Sequence, residues 1–255
     1  MIVHHKIYGA EHKKTIYILH GIFGMLDNWH NIATHLSNNY RVVAFDARNH
    51  GKSFHHEDSS YLAMANDLKH LMIDLNTPSA IVVGHSMGGK TALLFADLYP
   101  EMVDNLILVD IAPKKYHPGH LEYFRAFREL DFSKIHSRKD AEEAFMPFAP
   151  EMGVRQFLLK NLEANADSGG YKLKINLSAI ENYYDEIIDA ISFNNAFVKS
   201  THFILGEKSG YLKETDKPYI EQYFPTAAYN TVEHAGHWVH ADNPSGFLTI
   251  LNQIL

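Results

Sequence analysis

A chain of 255 residues suits one α/β domain with a modest insertion and is too short for two full-sized domains. Hydrophobic residues at 46% and charged residues at 21% are the balance of an ordinary globular protein, which excludes disorder and fibrous repeats. A net charge of -7 with scattered lysines argues against a nucleic-acid partner, and the lack of cysteine removes disulfides, thiolate catalysis and Cys-containing zinc sites.

At the N-terminus, Met1 to Lys6 has no apolar signal core, and no later run reaches the length of a bilayer span. A cytoplasmic protein without a membrane span is expected. The first buried strand is predicted over Thr15 to Leu19, and His20-Gly21-Ile22-Phe23-Gly24 follows it. A helix near Asn28 to Leu36, a strand over Arg41 to Phe45, a helix over Tyr61 to Leu75 and a strand over Ala80 to Val83 come next. Short β-rich runs alternating with helical periods predict a mostly parallel sheet with helices on both faces.

Gly84-His85-Ser86-Met87-Gly88 then matches G-x-S-x-G, between that strand and a helix predicted over Met87 to Leu98. In this context the motif holds a serine on a sharp strand-to-helix turn, and the helix N-terminus faces developing negative charge. Ser86 is the expected nucleophile. A Gly-rich turn of this kind also suits phosphate, a reading set aside on glycine spacing. The tetrahedral oxyanion needs two donors, and the Met87 N–H is one. The loop after the first strand is expected to supply the other from Ile22, with Phe23 as fallback. The side chains of Ile22, Phe23 and Met87 are expected to line an apolar pocket.

A strand over Asn105 to Val109 ends at Asp110. From Pro113 to Asn195 the rhythm changes: no strand-like run is evident, and helices are predicted over Leu121 to Leu130, Arg138 to Phe145, Val154 to Asn165 and Ser178 to Ile191. One crossover needs one helix, not four, so residues 113–195 read as an inserted helical cap on a core of 1–112 and 196–255. Its aromatic residues Tyr123, Phe124, Phe127, Phe145, Phe148 and Phe157 either line an acyl tunnel or form ordinary core, the latter being expected for most.

The core pattern resumes with strands over His202 to Leu205 and Ala228 to Val232, and helices over Lys217 to Tyr223 and Ser245 to Leu255. His234-Ala235-Gly236-His237-Trp238-Val239-His240 follows the last strand. His237 is the expected general base, because Gly236 suits a loop carrying the imidazole over the serine, and Trp238 beside it is expected at the substrate pocket. His234 and His240 invite a metal reading, but the intervening glycine and the missing carboxylate argue against it, so neither metal nor cofactor is expected. The order Ser, acid, His leaves two carboxylates open, Asp110 and Glu207. Asp110 is preferred because open α/β sheets build sites at the carboxyl ends of their strands. Ser209 stands where an Asp is usual, and its loss is expected to be nearly silent.

With these residues in place, the chain resembles the α/β-hydrolase superfamily, and in particular the bacterial YbfF-type acyl esterases. His20 to Gly24, Asp46-Ala47-Arg48-Asn49-His50-Gly51-Lys52-Ser53 and Val109-Asp110-Ile111-Ala112-Pro113 carry the closer likeness. The resemblance implies an acyl esterase or thioesterase with a helical cap and a catalytic Asp after the sixth strand of the fold, which favours Asp110. It also implies that Asp46, Arg48 and His50 brace loops rather than react. The expected partner is a small-molecule acyl ester or thioester. A C–C bond hydrolase or lyase with the same triad, and a non-catalytic ligand-binding homologue, are the alternatives.

Overall fold

The computed structural model describes residues 1–166 and 169–255. Seven strands form one sheet: β1 (His5–Tyr8), β2 (Thr15–Leu19), β3 (Arg41–Phe45), β4 (Ala80–His85), β5 (Val103–Val109), β8 (Thr201–Gly206) and β9 (Ala227–Val232). Their order is β1-β3-β2-β4-β5-β8-β9, with β1 antiparallel to β3 and all other pairings parallel. β1 is the strand that the pattern did not foreshadow. His5-Lys6-Ile7-Tyr8 lies at the sheet edge and is half-buried or exposed throughout, so it needs no apolar run.

Side chains alternate between the faces with the period of a strand. Tyr17, Leu19, Val43, Phe45, Val82, Leu106 and Leu108 enter one core, together with α2 (Tyr61–Asp74), α3 (Met87–Leu98) and α9 (Lys217–Tyr223). Ile16, Ile18, Val42, Ala44, Ile81, Val83, Ile107 and Val109 enter the other, against α1 (His30–Leu36), α10 (Val239–Asp242) and α11 (Pro244–Ile254). The chain moves from β2 outward to β3, then back across β2 to β4. This reversal opens a crevice at the carboxyl ends of β2 and β4, the switch point at which open sheets of this kind build their sites.

Between β5 and β8 lie α4 (Leu121–Glu129), α5 (Arg138–Phe145), α6 (Met152–Leu159), β6 (Leu162–Ala164), β7 (Tyr171–Leu173), α7 (Leu177–Asn182) and α8 (Tyr184–Ile188). The expectation of a strand-free segment is corrected here: β6 and β7 pair as an antiparallel hairpin. Three-residue strands are too short to show a period, and β6 occupies residues read as the end of a longer helix. That helix stops at Leu159, and the one predicted over Ser178 to Ile191 breaks at Tyr183 into α7 and α8. Phe124, Phe127 and Phe145 are buried in this segment's own core, where they meet Ile22, Phe23 and Met87 from the sheet side. Among the described residues no helix is long and apolar enough to cross a membrane.

Candidate active site

Ser86 sits where β4 turns into α3, with φ 53° and ψ -118°, a left-handed conformation that costs a non-glycine residue about 1–3 kcal/mol. The turn is tight enough to dictate its neighbours. A Cβ on Gly84 would fall 2.4 Å from the Gly88 carbonyl oxygen, and one on Gly88 would fall 2.5 Å from the carbonyl oxygens of both Leu19 and His20. Met87 opens α3, so its N–H has no carbonyl one turn earlier within the helix to receive it.

The loop after β2 closes on this turn. A Cβ on Gly21 would stand 3.2 Å from Cβ of Ser86. His20 shapes the loop from behind: its Nε2 accepts the Ala47 N–H at 2.9 Å, which leaves the proton on Nδ1 to be donated to the Gly21 carbonyl at 2.8 Å. Phe23 adopts φ 59°, and its carbonyl accepts from the Asn161 side-chain amide at 2.8 Å. Asp46 accepts the N–H groups of Leu26 and Lys52, both at 2.8 Å, and Arg48 grips Asp67 through two bonds of 2.6 and 2.8 Å. These contacts brace the loops beside the crevice.

Asp110 follows β5, the strand after the serine helix and the fifth in this chain, and is fully buried at φ 49°. One carboxylate oxygen accepts the Gly206 N–H at 3.1 Å; the other accepts the Ser209 hydroxyl at 2.5 Å and Nδ1 of His237 at 2.7 Å. Because a carboxylate is the partner, Nδ1 carries the proton and Nε2 of His237 is left as the basic nitrogen. Glu207 faces elsewhere, accepting the His234 N–H at 2.7 Å. Ser209 is not a bystander, contrary to the sequence expectation, since it supplies one of the three donors to Asp110.

The other two histidines of the loop have their own surroundings. His234 is exposed beside Glu207, whereas His240 is buried and stacked on Trp29 with ring centres 3.9 Å apart. The His237 ring lies flat on Tyr211 at 3.7 Å, and its carbonyl accepts Nε2–H of His85 at 2.9 Å. Sequence reasoning missed Tyr211, His85 and Asn161, all of which act across long stretches of chain and leave no local pattern.

Lys90 was also missed, though a visible signal exists: a cation in the buried stripe of an apolar helix. Gly84 to Thr91 in fact satisfies G-x-x-x-x-G-K-T, so glycine spacing does not dispose of a phosphate loop. Geometry does. The helix starts at Met87 and leaves no loop to wrap a phosphate, and Lys90 turns its amine onto the carbonyls of Ile187 (3.2 Å) and Asp189 (2.5 Å). Burial pushes the Lys90 amine down to about 7, with Asp189 opposing the shift.

Ser86 and His237 line one cavity of about 330 Å³ together with Ile22, Phe23, His120 and Trp238. Tyr123 and Phe157 reach it from the segment between β5 and β8. A second cavity of about 30 Å³ lies beyond Ser86 and is lined by Ile22 and Met87.

Burial pushes His20 down to about 4, and His50 and His240 down to about 3; His85 is also lowered by burial. In the unfolded chain these groups return toward 6.5, so between about pH 6.5 and 4 the unfolded state binds protons that the folded state refuses. Stability is therefore full above that window and lost as pH falls through it, at up to about 1.4 kcal/mol per histidine per pH unit. The urea midpoint is expected to drop steadily from pH 7 to pH 5, and His240→Phe to flatten the slope. A midpoint unchanged over that range contradicts the burial of these imidazoles as neutral groups.

Comparison with known proteins agrees with this architecture. The mouse (Mus musculus) protein named sn-1-specific diacylglycerol lipase ABHD11 is 38% identical over 249 residues, covering 94% of this chain and 80% of that protein. Esterase YbfF of Escherichia coli is 32% identical over 241 residues, covering 94% and 92%. A solved structure titled marine microorganism esterase superposes with a TM-score of 0.96 at 37% identity and covers the whole of both chains. The family model described as alpha/beta hydrolase fold matches residues 14–244, and the chain belongs to the α/β-hydrolase superfamily.

Proposed function

We propose that the protein is a serine esterase that transfers an acyl group from a small-molecule ester or thioester to Ser86 and then to water. The observation that carries this reading is the shared cavity: a strained serine and an imidazole whose Nδ1 is held by a buried carboxylate face the same space. Ser86 Oγ attacks the acyl carbonyl carbon while His237 Nε2 takes its proton. The tetrahedral oxyanion is received by the N–H groups of Met87 and Ile22, and collapse expels the alcohol with the proton from His237. A water then repeats the sequence and releases the acid. Asp110 fixes the imidazole tautomer and offsets its charge during each transfer. None of these steps calls for a cofactor.

Residues 113–195 act as the cap in this account. Phe23 of the core touches Phe124 edge-on at 5.0 Å, and Asn161 ties the insertion to the Phe23 carbonyl. Phe23 and Trp238 form apolar wall, and Phe157 packs on Trp238 at 5.5 Å from across the cavity. Such a wall excludes water from the charge that develops at the oxyanion.

Hydrolysis of p-nitrophenyl acetate and of an acetyl thioester, followed from the first turnover, tests the reading. A rapid release of nitrophenol equal to the enzyme present, followed by a slower steady state, is expected where deacylation limits the rate. Failure to turn over either ester or thioester would remove ester chemistry and return the alternative of a C–C bond hydrolase.

A further inference from the structure

The two cavities meet at Ser86, and they are unequal. Ile22, Ser86 and His120 line both, which marks the junction as the place where a scissile carbonyl sits. His237 lines only the large one. Whatever leaves must collect its proton from His237, so the leaving group occupies the large cavity. The acyl chain then has the small one.

We infer that this enzyme is specific for esters of very short acyl chains, of acetyl to propionyl size, carried on large alcohols or thiols, and that Ile187 and Ile188 set the limit. This rests on the esterase reading above. The small cavity, at about 30 Å³, has room for about two waters' worth of matter, hence a methyl or ethyl group. Its far wall is Ile187 and Ile188 from α8. That wall is fastened to the core: the Ile187 carbonyl accepts both the Tyr61 hydroxyl at 2.8 Å and the Lys90 amine at 3.2 Å. Lys90 adds its bond to the Asp189 carbonyl and lies over the Tyr116 ring at 4.9 Å. Tyr61 and Lys90 are both buried, so a longer chain cannot push the wall back without breaking bonds that have no water to replace them. The large cavity carries the opposite character, with the aromatic side chains of Tyr123, Phe157 and Trp238 beside the cationic Lys160. It suits an extended, amphipathic leaving group.

The test is a series of p-nitrophenyl esters from acetate to octanoate, in which the leaving group is constant, run on the native chain, Ile187→Ala and Ile188→Ala. For the native chain kcat/KM is expected to fall about tenfold or more between propionate and hexanoate. In each variant the hexanoate-to-acetate ratio is expected to rise about tenfold or more, because the three deleted carbons open room for added methylenes. Ile187→Val, which trims one carbon and endangers folding least, is expected to move the ratio in the same direction. A native chain that prefers octanoate, or isoleucine variants whose acyl profile is that of the parent, overturns the inference while leaving the esterase reading intact. No turnover of any ester in the series, acetate included, overturns both together with the triad chemistry on which they stand.

Discussion

Replacing Asp110 with Asn is expected to lower kcat by about 10⁴-fold while KM and the urea midpoint stay close to the parent's. The hydrogen bonds around Asp110 say why. The carboxylate accepts three donors, from Gly206, Ser209 and His237. An Asn fits this nest best by turning its oxygen to the Gly206 N–H, because that donor cannot reverse. Its NH₂ then faces Ser209 and His237. The serine hydroxyl rotates and accepts, and His237 satisfies the amide only by presenting a bare Nδ1, which moves its proton to Nε2. The amide keeps all its partners, the fold survives, and the nitrogen that must take the Ser86 proton is already occupied. Glu207→Gln is the matched control, since its carboxylate is bound to the His234 N–H, and a change of less than about tenfold is expected there. A folded Asp110→Asn protein with parental kcat, beside an inactive Glu207→Gln protein, would move the acid to the end of β8.

The parts of the molecule that were legible in the sequence are those whose physics is local. β2, β4 and β5 each contain a continuous apolar run (16–19, 80–83 and 106–109) because both sheet faces are covered, and α3 announces itself through the glycines that its turn onto β4 demands. Ser86 and His237 could be read because each stands in a glycine-marked loop at a strand end. Asp110 was only preferred, since a strand-terminal Asp has an ordinary turn-capping role and nothing nearby in sequence names its partners. Those partners lie 96, 99 and 127 positions away. For the same reason Ser209 looked idle. The β6–β7 hairpin escaped because three residues cannot display a period of two, and the Lys90 clamp because its acceptors are backbone carbonyls, which any sequence can supply.

Covalent capture shows whether Ser86 Oγ is the atom that becomes acylated. A fluorophosphonate phosphonylates an activated serine hydroxyl with loss of fluoride, and its P=O oxygen is expected to take the place of the oxyanion between the Met87 and Ile22 N–H groups proposed above. Ser86→Ala deletes only the hydroxyl from a site held in shape by Gly84, Gly88 and Gly21, so the variant should fold and retain the cavity. Its ester turnover is expected to drop by about 10⁶-fold, the scale seen when a triad nucleophile is removed from a serine hydrolase. Intact-mass analysis of the native chain should show one adduct per molecule, peptide mapping should place it on Ser86, and the alanine variant should take up none. An adduct on another serine, or equal labelling of a folded Ser86→Ala protein, would contradict the account.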